Sequence, residues 1–140
     1  PDDMRGCYIK GRSMEPGLPD GQLVLYAPTR EVHSGERYVF LMEDHLTGDW
    51  VLRLKRIQVY SGGGLKIISD NRGLGVEDEV WLPQDDGAYV NERTGREVRF
   101  RIVGHVLWPR DEDDADQVRL ITRTIERLAQ MGYRLPGEER

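Results

Sequence analysis

Short strand-like runs separated by turn residues are the feature that most limits how this chain can fold. Apolar and β-branched runs alternate with Gly, Pro, Asp and Ser along most of the sequence, and a helical pattern is almost absent before residue 113. This spacing is typical of folded antiparallel β structure. The predicted strands are residues 7–9, 23–26, 37–42, 50–60, 65–68, 80–82 and 98–108, with a hairpin turn at 93–95.

The end of the chain has a different pattern, which predicts one amphipathic helix. An acidic run at 111–114 suits a helix N-terminus, and Gly132 and Pro136 favour a stop. The apolar positions that share one predicted face are Val118, Ile121, Ile125 and Leu128. We therefore expect residues 111–140 to form a helical extension of the domain, which either docks on its own sheet or takes part in subunit association.

Composition excludes several classes of protein. The 140 residues carry 25 acidic and 20 basic side chains, a net charge of -5, which disfavours nucleic-acid binding by this segment itself. The single cysteine, Cys7, rules out an internal disulfide framework. No apolar run reaches the roughly 20 residues that span a bilayer. These features predict a soluble domain of a reducing compartment, the cytoplasm, without contact to a membrane.

The segment 10–21 is the most informative local motif. Its three glycines permit backbone angles that other residues avoid, and its two prolines prevent a continuous helix. The segment therefore predicts a shaped turn that presents the hydroxyl of Ser13 before an apolar strand. A serine is a weak nucleophile unless a base lies within hydrogen-bond reach.

Lys55 is the best candidate for that base. It lies in a strand rich in large apolar residues, where burial lowers a lysine pKa. A change from about 10.4 to about 7 or 8 corresponds to roughly 4 kcal/mol. The histidines His33, His45 and His105 leave a Ser-His-Asp triad open. None has metal-ligand spacing, and we predict neither a metal nor a cofactor.

Four motifs together give the chain a family resemblance. Residues 11–16 read Gly-Arg-Ser-Met-Glu-Pro and resemble the serine box, Gly-x-Ser-Met-x-Pro, of the LexA and phage-repressor self-cleaving family. Residues 55–57, Lys-Arg-Ile, resemble its lysine box, Lys-Arg-Leu. Residues 69–71, Ser-Asp-Asn, and 102–106, Ile-Val-Gly-His-Val, are similar to its Ser-x-Asn turn and its closing Gly-x-Val strand.

This resemblance implies a fold and a set of site residues. The fold would be the mostly β, antiparallel C-terminal domain of the LexA type, with residues 1–110 as the peptidase and dimerisation domain. Ser13 would be the nucleophile and Lys55 the general base, with the backbone N–H groups of Ser13 and Met14 as oxyanion donors. Arg12 stands where many relatives have Asp. Residues 88–100 and the final helix look like additions to the core pattern.

The function implied is autoproteolysis and dimerisation in a transcriptional regulator of the DNA-damage (SOS) response. Such a domain is a homodimer and cuts its own linker with a Ser-Lys dyad. Its DNA-binding N-terminal half and its cleavage site are expected outside this chain, and an activated RecA-type filament is the implied inducing partner.

Two other hypotheses remain open at this stage. A signal-peptidase-like serine protease has a similar serine box, and residues 69–72, Ser-Asp-Asn-Arg, resemble its Gly-Asp-Asn-Arg stretch. A catalytically inactive dimerisation or sensing module would keep the fold without the reaction.

Overall fold

The computed structural model describes residues 3–44 and 46–133, which form eight antiparallel strands and one C-terminal helix. The predicted fold class is thereby confirmed. The predicted stop at Pro136 and the histidine at position 45 lie outside the described residues. The strands are β1 (Arg5–Tyr8), β2 (Leu23–Pro28), β3 (Glu36–Glu43), β4 (Trp50–Val59), β5 (Leu65–Ile68), β6 (Glu79–Pro83), β7 (Ala88–Asn91) and β8 (Glu97–Trp108); the helix is α1 (Ala115–Gln130), and a 3-10 turn covers Arg72–Leu74.

The strands form one sheet in the order β1-β2-β8-β3-β4-β5-β6-β7, and β7 also pairs with β8. That extra pairing closes β3 to β8 into a barrel, with β2 and β1 added beside the C-terminal half of β8. Residues 88–100, expected to be additions to the family's core pattern, take part in the barrel itself. They supply β7 and the first part of β8, without which the barrel would stay open.

The barrel core is built from alternate side chains of its strands, as the pleat requires. Its fully buried members include Tyr38, Phe40, Ile57 and Trp81. The Phe100 ring contacts Phe40, Trp81 and Tyr89 edge-on, with centroids 5.9, 5.3 and 5.0 Å apart.

A second cluster of buried apolar residues is separate from the barrel core. It contains Ile9, Met14, Leu18, Val24, Val39, Leu54 and Val106. These residues come from β2, β8, β3, β4 and the segment after β1, so one face of the run β1-β2-β8-β3-β4 is buried here. We call that face the trough. Gly104 in β8 lets the Tyr26 ring of β2 lie directly against the backbone, where any Cβ would overlap it.

The helix begins where the acidic run predicts. The Asp114 side chain accepts hydrogen bonds from the backbone N–H groups of Asp116 and Gln117, which caps the first turn. The last helical residue is Gln130, and Gly132 follows with a φ of 100°. No helix within 3–44 and 46–133 is long and apolar enough to cross a membrane.

The predicted apolar face of α1 is only partly the buried one. Val118 and Thr122 are buried, whereas Ile121 and Leu128 remain 42% and 41% exposed. The Thr122 hydroxyl accepts a 2.9 Å hydrogen bond from the buried Gln22 amide. Because this anchor is polar, hydropathy spacing could not identify it.

Candidate active site

Ser13 lies in the turn between β1 and β2, and two apolar anchors fix that turn. Met14 and Leu18 are 2% and 1% exposed and are joined by a 2.9 Å hydrogen bond from the Leu18 N–H to the Met14 carbonyl. The Gly11 N–H donates to the Asp20 carboxylate at 2.7 Å, which closes the turn on itself. Ser13 remains half-buried between these supports.

The loop after β5 holds the serine turn from a second side. The Asn71 N–H donates to the Ser13 carbonyl at 2.8 Å, and the Asn71 amide donates to the Arg12 carbonyl at 2.8 Å. The Asn71 side chain also accepts a hydrogen bond from the Gly73 N–H, which shapes this turn. Within the described residues, the N–H groups of Ser13 and Met14 donate to no acceptor. The oxyanion role of these two groups stays a prediction.

Lys55 lies in β4 and has lost most of its solvent, as expected, with 7% exposure. Its Nζ donates a 3.0 Å hydrogen bond to the hydroxyl of Ser69, which is also buried. Burial lowers the pKa of Lys55 to about 8, and the charge of Arg53 acts in the same direction. The carboxylates of Glu79 and Asp70 oppose the shift and do not cancel it.

An ion-pair cluster supports the loop that carries Ser69. Arg56, next to Lys55 in β4, binds Asp70 at 2.8 Å and Asp111 at 2.9 Å. The hydrogen bond from Arg56 also lowers the pKa of Asp111. The ion pair between Asp70 and Arg56 holds the 69–72 loop against β4, next to Lys55.

A cleft of about 510 Å³ brings the serine and lysine motifs together. Residues 7–11, 13 and 14 line one side and residues 50–55 the other, and both Ser13 and Lys55 belong to the lining. Since β1 and β4 are the two ends of a five-strand run, the run must curve for both to reach one cleft. The β4 backbone pairs with β5 only from Arg56 onward, so the part of β4 that faces the cleft has a free edge. A free edge can accept an extended peptide as an added strand.

The two described histidines of the open triad hypothesis, His33 and His105, do not line this site. His33 donates its backbone N–H to the Tyr38 hydroxyl, and His105 stacks on the Tyr38 ring at 5.2 Å. Of the histidines that the structure describes, neither lines the cleft.

Ser69 is the residue of the site that the sequence did not single out. The 69–71 motif indicated a turn, and the motif alone gave no reason to connect its serine with Lys55. The contact arises only when β4 and β5 pair in the register Arg56–Ile68. That register places the residue after β5 beside Lys55.

The structure thus brings the half-buried Ser13 and the buried Lys55 to one cleft. The family model for peptidase S24-like proteins matches residues 1–79, more than half of the chain. The protein therefore belongs to the peptidase S24-like family, in agreement with its LexA-like motifs. Comparisons with curated proteins and with solved structures gave no match. The matched segment contains Ser13, Lys55 and Ser69.

Proposed function

We propose that this domain is the self-cleaving and dimerising half of a LexA-like or phage-repressor-like transcriptional regulator, with Ser13 and Lys55 as its catalytic dyad. The observation that supports this best is that Ser13 and Lys55 line one cleft while burial lowers the pKa of Lys55 to about 8. A lysine with a pKa of about 8 is neutral in about a tenth of molecules at pH 7 and in about half of them at pH 8.

The reaction follows from the groups that line the cleft. Neutral Lys55 accepts the hydroxyl proton of Ser13 while the serine oxygen bonds to the carbonyl carbon of the scissile peptide. The oxyanion is stabilised by the N–H groups of Ser13 and Met14. The Lys55 ammonium then returns the proton to the leaving amine, and water hydrolyses the acyl ester. Ser69 accepts a hydrogen bond from Lys55 Nζ and so keeps the amine in position.

The biological role would be to end repression. Dimerisation increases the effective concentration of two DNA-binding modules, and cleavage of the linker removes that gain. DNA would be bound by an N-terminal half rather than by this acidic segment. An activated RecA-type filament in the cytoplasm, formed during DNA damage, would be the inducing partner.

Cleavage of a supplied linker tests this function directly. The 140-residue chain should not cut itself, because Gly6-Cys7, the only small pair before Ser13, is paired with Leu25 and Val24 inside the sheet. It should slowly cut a peptide carrying the linker of the full-length regulator, since a separate substrate loses the intramolecular advantage.

Mass spectrometry of the incubated mixture reads both outcomes, with Ser13→Ala as the inactive control. A Ser13-dependent break inside the chain would mean that the cleavage site is misassigned. An intact linker peptide at every pH between 6 and 10 would favour the inactive-module hypothesis.

Dimerisation is the second part of the proposal, and the exposed apolar side of α1 makes it testable. Beyond Ile121 and Leu128, this part of the chain also exposes Leu120 (61%), Met131 (73%) and Tyr133 (64%). Sedimentation at micromolar concentration should give twice the mass of 16.1 kDa. Replacing Ile121 and Leu128 together by Asn should weaken the dimer at least about tenfold, because two buried apolar side chains are lost.

The matched control is Arg123→Asn on the same helix, which should leave the mass unchanged. A double variant that dimerises as well as the wild type would show that α1 only covers its own sheet. A monomeric wild-type chain would contradict the dimer itself.

A further inference from the structure

The trough carries a second cavity, of about 560 Å³, in addition to the cleft that contains Ser13 and Lys55. We call it the arginine cavity. Its lining comes from β1, β2 with the residues that follow it, β3 and β8, and it consists of Arg5, Tyr26, Pro28, Thr29, Arg30, Leu41, Arg101, Ile102 and Val103. Neither the serine box, residues 11–16, nor the lysine box, residues 55–57, contributes a residue to this lining.

The charges around this cavity are uncompensated. Arg5, Arg30 and Arg101 line it, and no carboxylate does. In the part of the chain that the structure describes, these three guanidinium groups have neither an ion pair nor a hydrogen-bond acceptor. By contrast, arginines such as Arg53 and Arg56 pair with carboxylates. Three exposed arginines without ion pairs around one cavity are unexpected in a chain of net charge -5.

The arginine cavity and the catalytic cleft belong to the same face of the sheet. Arg5 and Cys7 are two apart in β1, and Leu41 and Val39 are two apart in β3, so each pair points to one side. The first member of each pair lines the arginine cavity and the second lines the cleft. Two residues along a strand span about 7 Å. A peptide that occupies the cleft therefore needs only a short extension to reach the arginines.

We propose that the arginine cavity binds acidic side chains of the peptide whose scissile bond lies in the cleft. This inference rests on the proposed peptidase function. Guanidinium groups match carboxylates in charge and geometry. The apolar side chains of Leu41, Ile102 and Val103 would pack against the methylene groups of a glutamate.

The sheet register also sets where the acidic residue lies. Lys55 marks the scissile bond, and Leu52, three residues before it in β4, pairs with Leu41 at the arginine cavity. Three residues of extended chain span about 10 Å. We therefore expect the substrate to carry Asp or Glu two to four residues from the scissile bond. This acidic residue lies in the part of the peptide that extends along β4 from Lys55 toward Trp50.

Binding to a chain that cannot cut isolates this inference from catalysis. The protein is the 140-residue Ser13→Ala chain, and the probes are two fluorescein-labelled peptides, one with three glutamates and one with glutamines in their place. Fluorescence anisotropy should show the glutamate peptide binding about tenfold or more tightly. Changing Arg5, Arg30 and Arg101 together to Gln should abolish this preference.

The matched control changes Arg96, Arg123 and Arg127 to Gln, which removes the same charge from arginines that also have no ion pair in the described residues. The control variant should keep the preference. Equal binding of both peptides, or an equal loss in both triple variants, would overturn the proposal. Tighter binding of inorganic phosphate or of a 20-base-pair DNA duplex than of the glutamate peptide would also overturn it.

A cleavage experiment with the wild-type chain gives an independent readout. In a peptide library, the cut sites read by mass spectrometry should be enriched in Asp and Glu two to four residues from the cut, and the triple variant at Arg5, Arg30 and Arg101 should lose that enrichment. Cutting without any acidic preference would overturn the inference while leaving the peptidase function intact. If the library stays uncut while the glutamate peptide still binds, the proposed peptidase function is contradicted and the proposed binding site is supported.

Discussion

Replacing Lys55 by Met should lower cleavage of a supplied linker peptide by at least about 10³-fold, because the buried amine proposed to accept the Ser13 proton is lost. Methionine keeps the length and apolar stem of lysine, so the packing of β4 is retained. The matched control is Lys66→Met in β5, whose amine pairs with Asp78 away from the cleft. The control should cut at the wild-type rate.

The pH dependence of the wild-type rate is a sharper form of the same prediction. Lys55 is active when neutral, and its pKa is about 8. The rate should therefore rise about tenfold per pH unit below pH 8 and level off above about pH 9. A rate that stays flat from pH 6 to 10 would point to another base.

The stability of the Lys55 variant separates lost chemistry from lost structure. Between about pH 8 and 10.5 the unfolded chain binds the Lys55 proton and the folded chain does not, so the free energy of unfolding rises with pH there. Below pH 8 both states bind it, and keeping the ammonium buried costs about 3 kcal/mol. Lys55→Met removes this cost at pH 7, so its Tm should be unchanged or higher even though the Ser69 hydrogen bond is lost. A lower Tm would mean that the loss of cleavage reflects unfolding.

Trp81→Ala should lower the free energy of unfolding by about 3 to 5 kcal/mol. Trp81 is 0% exposed in β6, packs edge-on against Phe100, and its indole N–H donates to Glu79 at 3.0 Å. Truncation removes the largest side chain of the barrel core and leaves a cavity between strands that cannot collapse without breaking their pairing.

Urea denaturation followed by circular dichroism measures this loss, with Trp50→Ala as the comparison. Trp50 is 48% exposed, so its truncation should cost less than about 1 kcal/mol. Similar losses for the two variants would mean that the barrel core does not dominate the stability of the fold.

Local patterns predicted most of the strands and the serine and lysine motifs, because those signals are contained in short stretches of sequence. The alternation around Lys55 and the turn residues around Ser13 are of this kind. The closure of the barrel by β7 was missed, because it depends on which strand pairs with the first residues of β8 in the folded chain. The contacts of Lys55 with Ser69 and of Gln22 with Thr122 were missed for the same reason. The arginine cavity joins β1, β2, β3 and β8, and no spacing within the sequence connects Arg5 with Arg101.

The loop after β5 holds both members of the proposed dyad. Ser69 fixes the Lys55 amine, and Asn71, two residues later, fixes the carbonyl of Ser13. The proposed nucleophile and base are therefore held by the same loop, so a displacement of that loop moves both residues together. A shift of this loop would misalign both ends of the proton transfer in one movement. We expect variants of the loop to leave either a fully competent site or an inert one, with few intermediate rates.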